Sequence, residues 1–161
     1  MRILRYFIQT KTMIVEKANR IDHKELTVLT IKSKSYWGYS PDQIEKWNDE
    51  LTITQEYVDK NDVFKLSDNG QIIGYYSYLR LNSNTVKLDN IFIHPEYIRK
   101  GSGNLLMGNF IERMKKNGCK KITLDSEPNA EVFYKNFDFT VVGKLESSIK
   151  DRFLPIMEKE I

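Results

Sequence analysis

Apolar positions in the first third of the chain recur at helical spacing. Leu26 and Leu29 follow Asp22 and Glu25, a pair with the form of a capping box, and predict a helix over 23–35. Ser40-Pro41-Asp42-Gln43 combines an N-cap serine, a first-turn proline and a glutamine at the third helical position. Ile44, Trp47 and Leu51 continue it at i, i+3 and i+7, which predicts a second helix over 41–51, and Thr54 with Glu56 caps a further turn or two. The period then shortens to that of strands. Residues 63–67 and 71–81 flank Asp68-Asn69-Gly70, where Asn-Gly signals a tight hairpin, and Asn82-Ser83-Asn84 leads into a third strand over 85–94. From Gly101 the helical period returns, with Leu106, Met107, Phe110, Ile111 and Met114 on one face and Gly118 as the stop. A strand over 121–126, a short helix over 130–136 capped by Asn129, and strands over 139–145 and 154–159 complete the chain.

With a short strand over 14–17, the order gives an α+β domain: one mixed central sheet of about seven strands, with four helices. A length of 161 residues suits one such domain. Residues 1–13 read as an N-terminal extension, an edge strand or a misassigned start ahead of a domain over 14–161, because Met13 offers a second start. The first twelve residues hold too short an apolar run for a signal peptide or a membrane span.

Composition narrows the chemistry. Lys plus Arg number 25 against 22 Asp plus Glu, a net charge of +3 without a run of five like charges, so neither a nucleic-acid arm nor a membrane surface is expected. A small anionic ligand remains compatible. The lone Cys119 has no disulfide partner, and His23 and His94 are too few for a zinc cluster, so no metal and a reducing, cytoplasmic setting are expected.

The most informative segment runs from Leu88 to Leu106: strand, glycine-containing loop, amphipathic helix. Backbone amides of 99–104 can converge at the start of the helix, where unpaired donors and the positive end of the dipole hold a pyrophosphate. The same pattern also suits an ordinary helix start. The Walker pattern is absent and the dinucleotide fingerprint would need glycine at Leu106, so nucleotide hydrolysis and hydride transfer lose support. Ser102 lacks the flanks of a hydrolase nucleophile elbow.

Ile98-Arg99-Lys100-Gly101-Ser102-Gly103 resembles the Gln/Arg-x-x-Gly-x-Gly/Ala motif of the Gcn5-related N-acetyltransferase (GNAT) superfamily. At the expected distance, Asn129-Ala130, Phe133-Tyr134 and Phe137-Asp138-Phe139 resemble its second element, Asn-x-x-Ala-x-x-Phe-Tyr…Gly-Phe. Ile98 replaces the usual Gln or Arg, and Asp138 the usual Gly; Asp tolerates left-handed backbone better than most residues. The stretch 33–40 and the tail around Ser147-Ser148-Ile149, Arg152 and Leu154-Pro155 are similar to a bacterial branch of unassigned substrate.

The resemblance implies a single-domain GNAT fold and an acetyl-CoA-dependent N-acetyltransferase with acetyl-CoA as co-substrate. It implies that backbone groups of Ile91 and Ile93 pair with pantetheine, and that Arg99, Lys100, Gly101, Ser102, Gly103 and Asn104 hold the pyrophosphate. Asn129 either contacts pantetheine or caps the next helix. Tyr134 is the implied general acid toward the departing thiolate. A phenol near pKa ~10 and a thiol near ~8.5 are close enough for transfer or a hydrogen bond. The alternative for Tyr134 is a core aromatic. The implied reaction is direct attack by a primary amine of a small molecule or a protein. For the base, strand alternation puts Asp89 on the face of Ile91 and Ile93, with His94 second; a solvated Asp and a structural His are the alternatives. Tyr36, Trp37, Tyr39, Tyr76 and Tyr78 are candidates for the acceptor cleft or for packing. Arg152 is a candidate for an acceptor carboxylate or for a surface ion pair. A homodimer is compatible. A non-catalytic acyl-CoA sensor and a protein-interaction module are the competing readings.

Overall fold

A computed structural model describes residues 13–161. The expected extension or alternative start over 1–12 lies outside the described residues. Seven strands form one sheet: β1 Met13–Lys17, β2 Asp62–Asp68, β3 Gln71–Arg80, β4 Thr85–Ile93, β5 Lys121–Asp125, β6 Thr140–Glu146 and β7 Phe153–Glu160, ordered β1-β2-β3-β4-β5-β7-β6. Only the β4–β5 pair is parallel. The α+β class and the single mixed sheet agree with the sequence reading. The helices number six among the described residues rather than four: α1 His23–Ser35, α2 Pro41–Lys46, α3 Asn48–Leu51, α4 Gln55–Lys60, α5 Ser102–Lys116 and α6 Glu131–Lys135.

The difference has local causes. The predicted helix over 41–51 divides because Trp47 leaves helical geometry (φ −91°, ψ 6°) as its indole turns inward, donating from Nε1 to Ser148 Oγ at 2.9 Å. Ser40 and Thr54 cap their helices as expected, accepting from the amides of Gln43 and Tyr57. The capping box moves upstream: Asn19 and Asp22 exchange bonds around a 3₁₀ turn, and Asp22 makes no side-chain cap for α1. Asn129 does not cap α6, whose N-cap is Ala130.

Two apolar layers cover the sheet. On one face α5 buries Leu106, Met107, Phe110, Ile111 and Met114 against Tyr76, Tyr78, Val86, Leu88 and Ile122. On the other, Leu26 and Leu29 of α1 and Val58 of α4 meet Val63, Ile72 and Tyr75. The Asn69-Gly70 turn has both residues at positive φ (49° and 83°), which a two-residue hairpin requires. Gly74 is fixed by crowding, because a Cβ there would lie 2.8 Å from Ile93 Cδ1 and 3.0 Å from Phe92 O.

Two one-residue insertions change the phase of the central strands. Ile73 is extra in β3, and Asp89 is extra in β4, where Ser77 pairs with Asn90 but Tyr78 with Leu88. Among the described residues no helix is long and apolar enough to cross a membrane, and no group of His, Cys, Asp or Glu is arranged to hold a metal.

Candidate active site

β4 runs beside β5 only through Thr85, Val86 and Lys87, paired with Lys121, Ile122 and Thr123. Beyond the Asp89 bulge its outer edge has no neighbouring strand. His94 N–H donates to Ile73 O at 2.8 Å, so the period of two turns the peptide groups of Ile91 and Ile93 away from β3, toward that open edge. A cleft of ≈ 700 Å³ occupies the gap, within the size range of small-molecule sites.

The loop before α5 forms one part of the cleft. Arg99 and Gly101 both take left-handed backbone (φ 63° and 87°), and no side chain caps the helix that follows, so its first-turn amides remain available to an anion. Arg99, Gly101, Gly103 and Asn104 line the cleft. Lys100 does not; its ammonium lies 5.8 Å from the centre of the Tyr97 ring. Ser102 points inward, 2% exposed, with an Oγ that has no partner, so its hydroxyl is not presented to the cleft. A Cβ at Gly103 would stand 3.4 Å from Phe133 of α6, an ordinary van der Waals contact, so packing alone does not demand glycine there.

Tyr134 and Asn129 line the same cleft. Tyr134 is 7% exposed, and its hydroxyl makes no hydrogen bond among the described residues although its ring is held edge-on by Phe133 and Phe139. Burial, and then the negative charge of Glu127, push its phenol well above its ordinary value. Relieved of capping, Asn129 has only a long 3.5 Å contact to Glu127.

The remaining candidates divide. Asp89 lines the cleft, but as the bulge residue it turns its carboxylate to the Tyr57 hydroxyl, on the α1/α4 side, rather than sharing the face of Ile91 and Ile93. His94 lies outside the cleft and accepts the Glu96 amide through Nδ1 at 3.2 Å, a structural role. Tyr76 and Tyr78 are not cleft residues: alternation along β3 puts them in the α5 layer, 0% and 2% exposed, with the Tyr76 hydroxyl bonded to Asn109 and Arg113. Trp37 lines the cleft, while Tyr36 stacks edge-on against it from outside.

Arg152 forms an internal pair rather than a surface one. Its Nη2 donates to both Glu127 oxygens at 2.8 Å and to the Tyr39 hydroxyl at 2.6 Å. Lys34 Nζ meets Glu127 Oε2 at 2.6 Å, and the Tyr39 hydroxyl donates to Oε1. Burial alone would raise the Glu127 carboxyl, but hydrogen bonds from Lys34, Tyr39 and Arg152 overcome it and hold the group below the usual carboxylate range. The Tyr39 phenol is pushed up to about 12, by burial first and then by Glu127. Trp47 closes over this group, with its ring 5.0 Å from Lys34 Nζ and 4.8 Å from the Tyr39 ring.

Sequence reasoning missed Lys34, Trp47, Glu127 and Ser148. A lysine in a last helical turn reads as a solvated dipole partner. A glutamate before a proline reads as loop. The one available signal was a charged residue lodged between two segments that already carried chemistry.

A family model described as an acetyltransferase (GNAT) domain matches residues 38–160. The chain belongs to the GNAT acetyltransferase family. Solved structures agree in fold. The PaiA N-acetyltransferase from Thermoplasma acidophilum, solved in complex with coenzyme A, superposes with a TM-score of 0.75 at 19% identity, over 93% of this chain and 99% of its own. The ribosomal-protein-S18-alanine N-acetyltransferase from Escherichia coli gives 0.71 at 17%, over 92% and 94%. YncA from Salmonella typhimurium, solved with its cofactor acetyl-CoA, gives 0.66 at 18%, over 92% and 93%. Among curated proteins none matches the chain significantly.

Proposed function

We propose that this GNAT protein is an N-acetyltransferase that moves an acetyl group from acetyl-CoA to a primary amine by direct attack. The observation that carries the reading is the hydroxyl of Tyr134, which has no protein partner among the described residues and opens onto the same cleft as the uncapped start of α5 while its ring is buried.

Acetyl-CoA supplies the activated thioester. The first-turn amides of α5, with Arg99 adding positive charge, hold its diphosphate. The outward peptide groups of Ile91 and Ile93 pair with the pantetheine amides in the manner of an added strand. Asn129 contributes a side-chain amide to the same arm.

In the transfer a C–N bond forms between the amine and the acetyl carbon, and the C–S bond breaks. The amine reaches the cleft as an ammonium and must lose its proton; Asp89, at the cleft, accepts it directly or through water. As the C–S bond breaks the nitrogen gives up its second proton, which ends on the departing sulfur so that CoA leaves as the thiol, and Tyr134 donates its O–H to that sulfur. Burial keeps that phenol protonated and leaves its proton harder to remove than that of a thiol of ordinary pKa ~8.5, so it acts chiefly through a hydrogen bond. We place the reaction in the cytoplasm, where the buried, free Cys119 stays reduced.

Thermal unfolding with and without acetyl-CoA tests the reading, with free CoA as control. At a ligand concentration 100 times the dissociation constant the native state gains about 2.7 kcal/mol, a shift of several degrees for a domain of this size. Thiol release with an amine panel then follows transfer. The absence of a shift with either ligand at millimolar concentration would overturn the donor site.

A further inference from the structure

The Lys34, Tyr39, Glu127 and Arg152 group has a donor surplus. A carboxylate offers about four lone-pair sites, and those of Glu127 are taken by Lys34, by the Tyr39 hydroxyl and by two bonds from Arg152. The cations are not exhausted. Lys34 Nζ makes one hydrogen bond among the described residues, and every side-chain hydrogen bond of Arg152 to them leaves from Nη2, so Nε and Nη1 keep their donors. Both side chains line the cleft, 18% and 17% exposed.

Charge points the same way. Two cations face one anion in a wall where water is scarce, and the rings of Tyr39 and Trp47, 5.0–5.8 Å from both cations, attract positive charge without neutralising it. The wall can take a further anion without leaving a charge unpaired. Elsewhere the cleft has the opposite need: Glu50, Asp89 and Glu146 line it, and none has a basic partner among the described residues.

We infer that Lys34 and Arg152 form a seat for a carboxylate of the acceptor, and that the acceptor is a free amino acid or a similar small molecule bearing both an amine and a carboxylate. The inference rests on the transferase reading above and names the acceptor class. A diamine would suit the three acidic residues but would press a cation against Lys34 and Arg152. The N-terminus of a protein carries an amide where the seat wants a charge. A zwitterion meets both walls, its ammonium drawn toward the acidic side and its carboxylate completing the donors of Arg152, whose planar fork favours that geometry.

The test uses the full chain and a panel of α-amino acids, each paired with its α-amide, together with putrescine. Thiol release is followed with acetyl-CoA, and the melting temperature is read with and without acetyl-CoA. At least one amino acid should be acetylated, or should stabilise the protein, at least tenfold more effectively than its amide. Arg152→Lys should raise the KM of that amino acid at least tenfold while the acetyl-CoA melting shift persists. Glu127→Gln, which removes the internal competitor for the same donors, should tighten its binding, an improvement that a merely structural role would not produce. The inference is overturned if no amino acid outperforms its amide, whether the amides match them, putrescine is preferred, or all are inert. Loss of the acetyl-CoA shift in the unaltered protein counts instead against the transferase reading, because the amino-acid shift is also read without acetyl-CoA.

Discussion

The two halves of the cleft are built by different means. The half we propose for the donor is largely backbone: the amides that open α5, the left-handed residues Arg99 and Gly101, and the outward peptide groups of Ile91 and Ile93. The half we propose for the acceptor is side chain, gathered from α1, the loop before α2, the loop after β5 and the turn before β7, and joined through the single carboxylate of Glu127. A backbone site depends on conformation and tolerates many side chains. A side-chain site depends on identity and is costly to break, because each member leaves a buried charge behind.

Substitutions sharpen that contrast. Tyr134→Phe, at the junction of the halves, should lower turnover by ~10²–10³, the usual range for a lost hydrogen-bond donor to developing negative charge, or ~3–4 kcal/mol of barrier, with the acetyl-CoA melting shift retained. An unaltered rate would remove the hydroxyl from the chemistry. Next in size is stability. Arg152→Leu leaves Glu127 to Lys34 and Tyr39, and since these side chains are 17% and 16% exposed, the cost should fall somewhat below that of a fully buried pair, at about 2–3 kcal/mol. Melting should drop by roughly 5–10 °C, again with the donor shift intact.

In the donor half, Gly101→Ala should cost only ~1 kcal/mol, the penalty of a left-handed residue. The added Cβ meets nothing within 4 Å, so the penalty is conformational. Here the acetyl-CoA shift should shrink while overall stability barely moves, the reverse of Arg152→Leu. The smallest effect is on pH. The Glu127 carboxyl is depressed in the fold, so its stabilisation is complete above its ordinary value of about 4.3 and is lost as pH falls through the depressed one. Acid unfolding of Glu127→Gln should therefore be less steep below pH ~4.3, as followed by circular dichroism.

Local signals explain what the sequence made legible. The five apolar positions of α5 are all buried, the Asn69-Gly70 turn and the Ser40 and Thr54 caps form as their residue types direct, and Asp138 does adopt left-handed backbone at φ 64°. Each is decided within about four residues of itself. What escaped was decided at a distance. Trp47 breaks its helix for a bond to Ser148, 101 positions away, and Lys34 finds Glu127 across 93. Asp89 was misplaced because alternation along a strand predicts a face only while the count of residues is unbroken, and the bulge breaks it; Tyr76 and Tyr78 do share one face, as alternation directs, but that face packs against α5 and neither residue lines the cleft.

The bulge at Asp89 makes chain length itself a functional quantity. Many side chains could occupy that position and leave the gap between β4 and β5 as wide as before, whereas removing the residue would bring Leu88 and Asn90 into uninterrupted pairing with β3 and take away the bend and extra twist that a bulge gives its strand. The outward peptide groups of Ile91 and Ile93 would be kept, but the gap beside them, where a ligand must enter, would narrow. For the width of the gap, the molecule is written in the number of its letters more than in their spelling: that width survives a substitution at the bulge and does not survive a deletion.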